Sequence, residues 1–413
     1  MDDPKTLVQS IWSQELDLPP SCVEFCPAHP SYFLVGTYNL EKDKVDETEA
    51  NEARENDDDD DVQAARTKKV QSRNGSILTF QLRGQDIVHV QTETQPSALL
   101  DLHFNPNEGY QDICATVSST ATISVFRFSP GDGDKKPMKH LNTMDISTLS
   151  QGEITTEDGS EILFLSFCWH SSRADMLALT TSTGHVYLVH LPSFEKDWKL
   201  HSEPVITHSL EAWTLSLYPT LNPREENEGV AFRVFSGGDD SKLRFGTFTW
   251  NAAEDELTEV MPAVESRSHD AGVTAILPLF IQEDGSELFV TGSYDENIRL
   301  FSLAPYGRPK NLTESGLGGG VWRLKLITLD KTLSETHVWK ATILASCMHA
   351  GARVVEVVKM LDGEYEFRVL TRFEEHKSMN YGSDFQPGWK DKLSVVSTSF
   401  YDRLLCLWEC GLP

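Results

Sequence analysis

Long apolar runs and an excess of basic charge are both missing from this chain of 413 residues. Its apolar stretches, such as residues 162–167, are much too short to span a bilayer as a helix. The 36 Lys and Arg residues against 63 Asp and Glu residues give a net charge of −27. This acidity disfavours general nucleic-acid binding and docking to an anionic membrane. We therefore expect no direct nucleic-acid partner and no membrane association.

A basic, apolar leader and a complete zinc-ligand set are also missing. The first residues have no signal-peptide pattern. The pairs Cys22/Cys26 and Cys406/Cys410 have no nearby His or Cys pair to complete a tetrahedral site. The other cysteines are scattered, and the total of seven is odd. We therefore expect reduced, mostly buried thiols, no metal or other cofactor, and a cytoplasmic protein.

Familiar catalytic signatures are absent as well. The chain contains no G-x-S-x-G elbow, no H-E-x-x-H pair, no P-loop and no dinucleotide fingerprint. It also has no helical heptads. Short β-rich runs, separated by Gly, Asp, Asn and Ser, recur along its length. On the residues alone, an all-β repeat protein without a catalytic motif is most often an interaction platform.

Two segments, 234–245 and 287–301, show the same order of strand, polar turn and strand. An Asp lies three residues before the second strand of each. The same slot recurs along the chain at intervals of 46 to 63 residues, occupied by Asn74, Thr120, Thr183, Asp240, Asp295, His349 and Asp402. Each unit also has an upstream strand, which makes four strands per unit. The pattern predicts one domain over 1–413, an all-β, seven-bladed WD-repeat β-propeller.

Two segments depart from the repeat. The last unit ends one strand short, near Trp408, so residues 9–16 are predicted to supply its outer strand and remove the open edge. A closed ring of this kind favours a monomer. Residues 41–73 form an insertion in blade one, with twelve acidic and three basic residues over 41–61. Such a run is predicted to be disordered; it is either a solvated insertion or an acidic arm that steers a basic partner.

Uncommon residues gather on one predicted face of the ring. In WD-type blades, the turn between the second and third strands shares a face with the loop that enters the first strand. The candidates on this face are His208, Glu211, Trp213, Asp239, Tyr294, Glu296, Trp322, Arg323, His349, Tyr381 and Asp384. Together they offer carboxylates, aromatic faces and an imidazole for a pocket.

Structural roles compete with functional ones at several of these positions. Turn-stabilising roles are expected for Asp240, Asp295, Asp402 and His269. Trp213 and Trp322 are either core residues or site residues. Asp239 is an extra carboxylate beside the turn Asp and is expected to face the central funnel. His349 replaces a turn Asp, so it is either a substitute stabiliser or a catalytic base. Cys347 has no visible neighbour that would lower its thiol pKa.

A family resemblance rests on motifs in the second half of the chain. They are FSGGDDSKLR at 235–244, VTGSYDENIR at 290–299, GGVWRLK at 319–325, ASCMHAG at 345–351 and YGSD at 381–384. With HSLEAW at 208–213, this set resembles the WD-repeat diphthine methyl ester hydrolases of eukaryotes. The match covers about residues 205–408. The first half matches only as propeller strands, and the acidic insertion departs from the family core.

The resemblance implies a reaction in diphthamide biosynthesis. Family members act on elongation factor 2, where a modified histidine carries a trimethylammonium group and an over-methylated carboxylate. They hydrolyse that methyl ester to diphthine and methanol, without a cofactor. Trp213, Tyr294, Trp322 and Tyr381 are then candidate walls for the quaternary ammonium. Asp239, Glu296 and Asp384 are candidate counter-charges, and His208 and Glu211 complete the binding set.

The catalytic roles within this set are hypotheses. His349 is expected to activate water, with Asp239 or Asp384 orienting it. Arg323 or the backbone amides of 318–320 would stabilise the oxyanion. A carboxylate nucleophile is a second route. Two non-catalytic alternatives stay open: a WD-repeat scaffold, such as a substrate receptor of a ubiquitin ligase, and a chaperone-like factor that presents elongation factor 2 to another enzyme.

Overall fold

The computed structural model describes residues 7–40, 73–131, 136–145, 161–201, 203–219, 230–251, 256–389 and 391–412. These residues form β-strands and connecting loops, and no helix occurs among them. The bulk of the predicted acidic insertion, residues 41–72, lies outside the described ranges, whereas Arg73 already belongs to a strand. Among the described residues there is no helix of the length and hydrophobicity needed to cross a membrane.

The strands form seven sheets in chain order. Two strands precede the first sheet: β1 (Leu7–Val8) and β2 (Ser10–Glu15). Sheet one contains β3 (Pro20–Phe25), β4 (Tyr32–Thr37), β5 (Asn39–Leu40), β6 (Arg73–Arg83) and β7 (Asp86–Gln95). Sheet two contains β8 (Leu99–Phe104), β9 (Ile113–Ser118), β10 (Thr122–Phe128) and β11 (Met138–Asp145). Sheet three contains β12 (Phe164–His170), β13 (Arg173–Thr181), β14 (His185–His190), β15 (Lys199–Leu200) and β16 (Ile206–Thr207).

The remaining four sheets follow the same plan. Sheet four contains β17 (Ala212–Pro219), β18 (Val230–Gly238), β19 (Leu243–Asn251) and β20 (Glu256–Glu265). Sheet five contains β21 (Val273–Ile281), β22 (Glu287–Ser293), β23 (Asn297–Leu303) and β24 (Lys310–Gly316). Sheet six contains β25 (Arg323–Asp330), β26 (His337–Ser346), β27 (Ala352–Met360) and β28 (Tyr365–Phe373). Sheet seven contains β29 (Gly382–Phe385), β30 (Leu393–Ser399) and β31 (Leu404–Cys410).

Seven antiparallel sheets arranged in this way confirm the predicted all-β, seven-bladed propeller. The apolar clusters explain why central strands such as β9 are buried along their whole length. One cluster joins Ile123 of sheet two to Trp169 of sheet three, and another joins Val290 of sheet five to Ile343 of sheet six. Each sheet therefore buries both faces against its neighbours, and stability depends on an unbroken ring.

The N-terminal strands lie against the last two sheets. β2 pairs antiparallel with β31, with Ser10 opposite Trp408 and Glu15 opposite Leu404. β1 pairs in parallel with β28 of sheet six. Sheet seven thereby gains a fourth strand, and the outer edge of β31 is covered by backbone hydrogen bonds.

The turn residues hold adjacent loops together. Asp295 accepts a hydrogen bond from the backbone N–H of Asp270 at 2.9 Å and from Arg299 at 2.9 Å. Asp402 accepts from the Ser378 hydroxyl at 2.7 Å. Nε2 of His269 lies 2.8 Å from the Thr291 hydroxyl. These contacts give the residues the structural role expected for them, and they fix the loops that carry the site described next.

Candidate functional site at the mouth of the central channel

Four aromatic rings meet where the innermost strands of sheets four to seven begin. The Trp322 ring centroid lies 5.0 Å from that of Tyr381, 5.5 Å from that of Trp213 and 5.9 Å from that of Tyr294. Trp213 and Tyr294 are themselves 6.5 Å apart. All four side chains are half-buried. The structure therefore brings the four predicted wall residues together around Trp322. We call this group the aromatic cluster.

Two further rings extend the aromatic cluster, and sequence reasoning missed both. Phe400 lies 5.5 Å from Tyr381, and Tyr38 lies 6.1 Å from Phe400, measured between ring centroids. Phe400 precedes the turn Asp402, and Tyr38 follows β4 in sheet one. Both occupy turns on the face already predicted to hold the site, so their position in the repeat was the signal that could have found them.

Carboxylates border the aromatic cluster on the side of sheet four. The indole Nε1 of Trp213 donates to Oδ1 of Asp239 at 3.3 Å, and Asp239 is exposed. Its backbone N–H donates to the carbonyl of Glu211 at 2.8 Å. Burial raises the pKa of Tyr294, and Tyr381, Asp239 and Glu211 raise it further. The mouth therefore combines aromatic faces with negative charge, which suits a cationic ligand.

Two more predicted residues lie exposed on neighbouring turns. His349 is in the turn of residues 347–351, and Glu296 follows the turn Asp of sheet five. The carbonyl of Met348 accepts a hydrogen bond from the backbone N–H of Asn380 at 3.0 Å, next to Tyr381. A Cβ added to Gly320 would lie 2.7 Å from the Met348 sulfur. His349 is thus exposed in a turn whose backbone is hydrogen-bonded to Asn380, the residue before Tyr381.

The third predicted catalytic residue, Asp384, is not on the rim. Its side chain is buried in the central channel, with Oδ1 2.6 Å from Nζ of Lys325. Oδ2 accepts the backbone N–H of Phe25 at 2.7 Å. Burial raises the pKa of Asp384, against the effect of Lys325. The predicted catalytic set is therefore divided: Asp239 is exposed beside Trp213 and His349 is exposed on a neighbouring turn, whereas Asp384 is buried in the channel.

Arg323 also points into the channel. Its Nη2 lies 2.9 Å from Oδ1 of Asp101, and its Nη1 donates to the Ser166 hydroxyl at 3.3 Å. Although burial disfavours the charged carboxylate, Arg323 and His103 hold the pKa of Asp101 well below its usual range. Arg323 is consequently fixed by a buried anion, and only part of its guanidinium faces the channel.

Further charged side chains lie beside the Arg323–Asp101 pair. Nδ1 of His103 is 2.7 Å from Glu24, and its Nε2 is 3.3 Å from Asp101. Burial lowers the pKa of His103, but Asp101 and Glu24 together raise it to about 10. Lys325 is 3.8 Å from Glu24. We call the six charged residues the channel network: Glu24, Asp101, His103, Arg323, Lys325 and Asp384.

Five residues of the channel network, all except Asp384, line a cavity of about 220 Å³. Tyr381 of the aromatic cluster lines the same cavity as Arg323 and Lys325. Tyr381 is therefore common to the aromatic cluster and to the lining of the channel cavity. Sequence reasoning missed Glu24, Asp101 and His103, which lie on strands with no local motif, and it did not select Lys325, although this residue ends the GGVWRLK segment.

His208 does not reach the mouth, contrary to its predicted place in the binding set. It is buried, with Nδ1 2.9 Å from Asp240 and Nε2 3.0 Å from Ser236. A Cβ added to Gly238 would lie 2.8 Å from Nδ1, so the ring is packed beneath that backbone. His208 belongs to a structural network of sheet four, because it holds the turn Asp as a buried hydrogen-bond partner.

The Cys347 thiol, two residues before His349, is buried. Burial raises the pKa of Cys347 to about 12, which keeps it a thiol at neutral pH. The described part of the chain contains no group of three or more His, Cys, Asp or Glu side chains arranged to hold a metal ion.

Comparisons with known proteins agree with the fold and with the motifs. The protein named diphthine methyltransferase in Saccharomyces cerevisiae is 26% identical over 430 residues, covering 95% of each chain. The diphthine methyltransferase homolog of Dictyostelium discoideum is 26% identical and covers 95% of this chain and 97% of its own. The diphthine methyltransferase of Homo sapiens is 24% identical over 90% of this chain and 73% of its own. The chain is therefore similar to these proteins over most of its length.

Among solved structures, Sqt1 of Saccharomyces cerevisiae matches with a TM-score of 0.53. The match covers 98% of this chain and all of that one, at 11% sequence identity. At this identity the likeness supports the propeller fold alone. No family model matches the chain.

Proposed function

We propose that this homologue of the diphthine methyltransferases hydrolyses the methyl ester of methylated diphthine on elongation factor 2, giving diphthine and methanol. The aromatic cluster at the channel mouth is the observation that carries the proposal. Four rings converge beside Asp239 and Glu211, above a cavity that contains Arg323. The motifs of the second half and the relatives' shared name supply the substrate.

A quaternary ammonium suits this mouth because it cannot donate a hydrogen bond. It is held instead by aromatic faces, each worth about 0.5–2 kcal/mol, and by nearby negative charge. The half-buried rings of Trp213, Trp322 and Tyr381 supply the faces, and Asp239 supplies the charge. A trimethylammonium group on a protein side chain can reach such a site from outside, since the mouth opens at the end of the ring.

Ester hydrolysis then requires a base and a donor for the developing oxyanion. In the proposed mechanism His349 takes a proton from water, whose oxygen adds to the ester carbonyl carbon. Arg323 stabilises the oxyanion from the channel side. The bond from the carbonyl carbon to the methoxy oxygen breaks, and methanol leaves with the proton held by His349. Asp239 orients the water or the ammonium from the rim.

A second candidate reaction is methyl transfer, which the relatives' printed name favours. The two reactions are opposite in direction, because hydrolysis removes a methyl group and transfer adds one. A non-catalytic scaffold, or a factor that presents elongation factor 2 to another enzyme, would use the same mouth only for docking. These possibilities differ in their products and are separated by one assay.

The test is mass spectrometry of elongation factor 2 bearing methylated diphthine, after incubation with the purified chain without cofactor. The proposal expects the mass to fall by one methylene group and methanol to appear. His349→Ala and Asp239→Asn should slow this step, whereas His140→Ala, an exposed His on outer strand β11, should not.

Other outcomes contradict the proposal in different ways. Full turnover by His349→Ala would remove the water-activation role. A mass increase that requires a methyl donor would establish methyl transfer. An unchanged mass with intact binding of the factor would indicate a scaffold or a presenting factor.

A further inference from the structure

The aromatic cluster and the channel cavity share one residue, Tyr381. Tyr381 contacts the Trp322 ring at 5.0 Å and also lines the cavity that contains Arg323. Trp322 and Arg323 are consecutive residues at the start of β25. A ligand group packed against the accessible faces of Trp322 and Tyr381 would therefore lie next to residues that line the channel cavity. The site has two parts, an aromatic one and a cationic one.

Arg323 has donors left for a ligand. A guanidinium carries five N–H groups, and among the described residues its terminal nitrogens contact Asp101 and Ser166. About a quarter of the Arg323 side chain, 24%, stays accessible. This accessible part faces the cavity. A carboxylate there would accept a charge-assisted hydrogen bond from Arg323.

The other two cations of the channel network each contact two carboxylates, whereas Arg323 contacts one. Lys325 lies two residues further along β25, about 7 Å deeper at the usual strand rise, and its ammonium contacts Asp384 at 2.6 Å. His103 is held between Glu24 and Asp101. Arg323 is thus the cation of this network closest in the chain to the aromatic cluster.

We propose that these two parts form one site for an α-trimethylammonio carboxylic acid. The aromatic cluster takes the quaternary ammonium, and Arg323 takes the carboxylate one carbon away. This inference deepens the proposed function and rests on it, because the product of the ester hydrolysis is such an acid. It follows that the acid binds more tightly than its neutral ester or amide, and that the product competes with the substrate for the mouth.

The test uses glycine betaine and its amide as probes. They share the quaternary ammonium and differ only in the charge of the second group. Both are titrated into the full chain by isothermal calorimetry, or by competition when binding is weak. We expect glycine betaine to bind at least about tenfold more tightly than its amide, because a charge-assisted hydrogen bond from Arg323 to a carboxylate is stronger than one to a neutral amide.

Arg323→Gln should abolish this preference and leave the affinity for the amide unchanged. Arg127→Gln is the matched control, since Arg127, on β10 of sheet two and outside the channel network, also pairs with an aspartate, Asp112, at 3.3 Å. The preference of Arg127→Gln for glycine betaine over the amide should equal that of the wild type. If Arg323→Gln misfolds because Asp101 is left unpaired, the double variant Asp101→Asn with Arg323→Gln removes both charges and provides the same comparison.

Three results would overturn the inference. The first is equal affinity of the wild type for glycine betaine and its amide. The second is an equal loss of affinity for the two probes in Arg323→Gln. A preference lost in Lys325→Met but kept in Arg323→Gln would place the carboxylate at Lys325 instead. Amide binding without acid preference contradicts only this inference. Binding of neither probe contradicts the aromatic cluster as an ammonium site, and with it the proposed function.

Discussion

The carboxylate of Asp101 and the guanidinium of Arg323 meet at 2.9 Å across the central channel, joining the innermost strands of sheets two and six. Lys325 and Asp384 add a contact at 2.6 Å between sheets six and seven. The ring is therefore held by charge in its channel as well as by apolar contacts between neighbouring sheets. Breaking a buried pair by removing one partner is costly, since the other charge stays buried.

The charge on His103 makes the stability of the propeller depend on pH. Its pKa is raised to about 10 in the folded protein, from an ordinary 6.5, because Asp101 and Glu24 overcome the effect of burial. The folded state thus binds the extra proton between these values. We expect the contribution of His103 to be complete below about pH 6.5 and to be lost as the pH rises towards 10. Chemical denaturation at several pH values measures it.

His103→Gln should reduce this loss of stability at alkaline pH. His89→Gln changes an exposed ring on outer strand β7 and is the control. Its free energy of unfolding should change with pH as in the wild type. If the free energy of unfolding changed with pH identically in the wild type and in His103→Gln, His103 would not be charged in the folded state.

Removing His208 should weaken the fold and spare the binding site. His208→Ala leaves Asp240 and Ser236 without their buried partner, and such a loss costs about 1–3 kcal/mol of unfolding free energy. The affinity for a trimethylammonium probe should be unchanged in the folded variant. Urea denaturation and probe titration measure the two effects separately. A stable His208→Ala protein with weakened probe binding would restore the role that the sequence predicted.

Gly319 is required by the close approach of two loops. A Cβ added there would lie 2.3 Å from the carbonyl oxygen of Cys347, so one backbone segment must move. We expect Gly319→Ala to cost about 1–3 kcal/mol, as overpacking does, and to weaken probe binding because Trp322 follows in the same loop. Gly411→Ala is the control, since its Cβ would meet no atom within 4 Å. Equal melting temperatures of the two variants would contradict this account.

Trp322 should matter most among the four rings because it contacts the other three. Trp322→Leu is expected to weaken binding of a trimethylammonium probe by about five- to thirtyfold, corresponding to a loss of about 1–2 kcal/mol. Tyr381→Phe keeps an aromatic ring and should change the affinity for the probe little. Trp389→Leu is the control, because half-buried Trp389 follows the far end of β29. Unchanged binding by Trp322→Leu would exclude the aromatic cluster as the ammonium site.

Most of the propeller could be predicted from the sequence because the repeat is recognised by the residues of its local turns. Asp240, Asp295 and Asp402 each occupy a turn between two short β-rich runs, and each accepts hydrogen bonds there. Turn chemistry depends on residues a few positions apart, so it is visible without the fold. The four rings of the aromatic cluster were found for the same reason, since their position in the repeat placed them on one face.

Side-chain direction was less predictable. His208 and Trp213 lie close together in the same motif, yet one ring is buried under Gly238 and the other borders the mouth. Arg323 follows Trp322 directly, yet it points into the channel towards Asp101. Such differences depend on packing against neighbouring sheets, which no single motif contains.

Local sequence patterns and tertiary structure therefore determine different features of this protein. The sequence by itself determined the strands, the turns, the number of sheets and the face on which the aromatic residues lie, because each follows from local spacing and the repeat. Only the tertiary structure decided the channel network. Glu24, Asp101, Lys325 and Asp384 come from four different sheets, and they meet because closing the ring brings the innermost strands of those sheets around one axis.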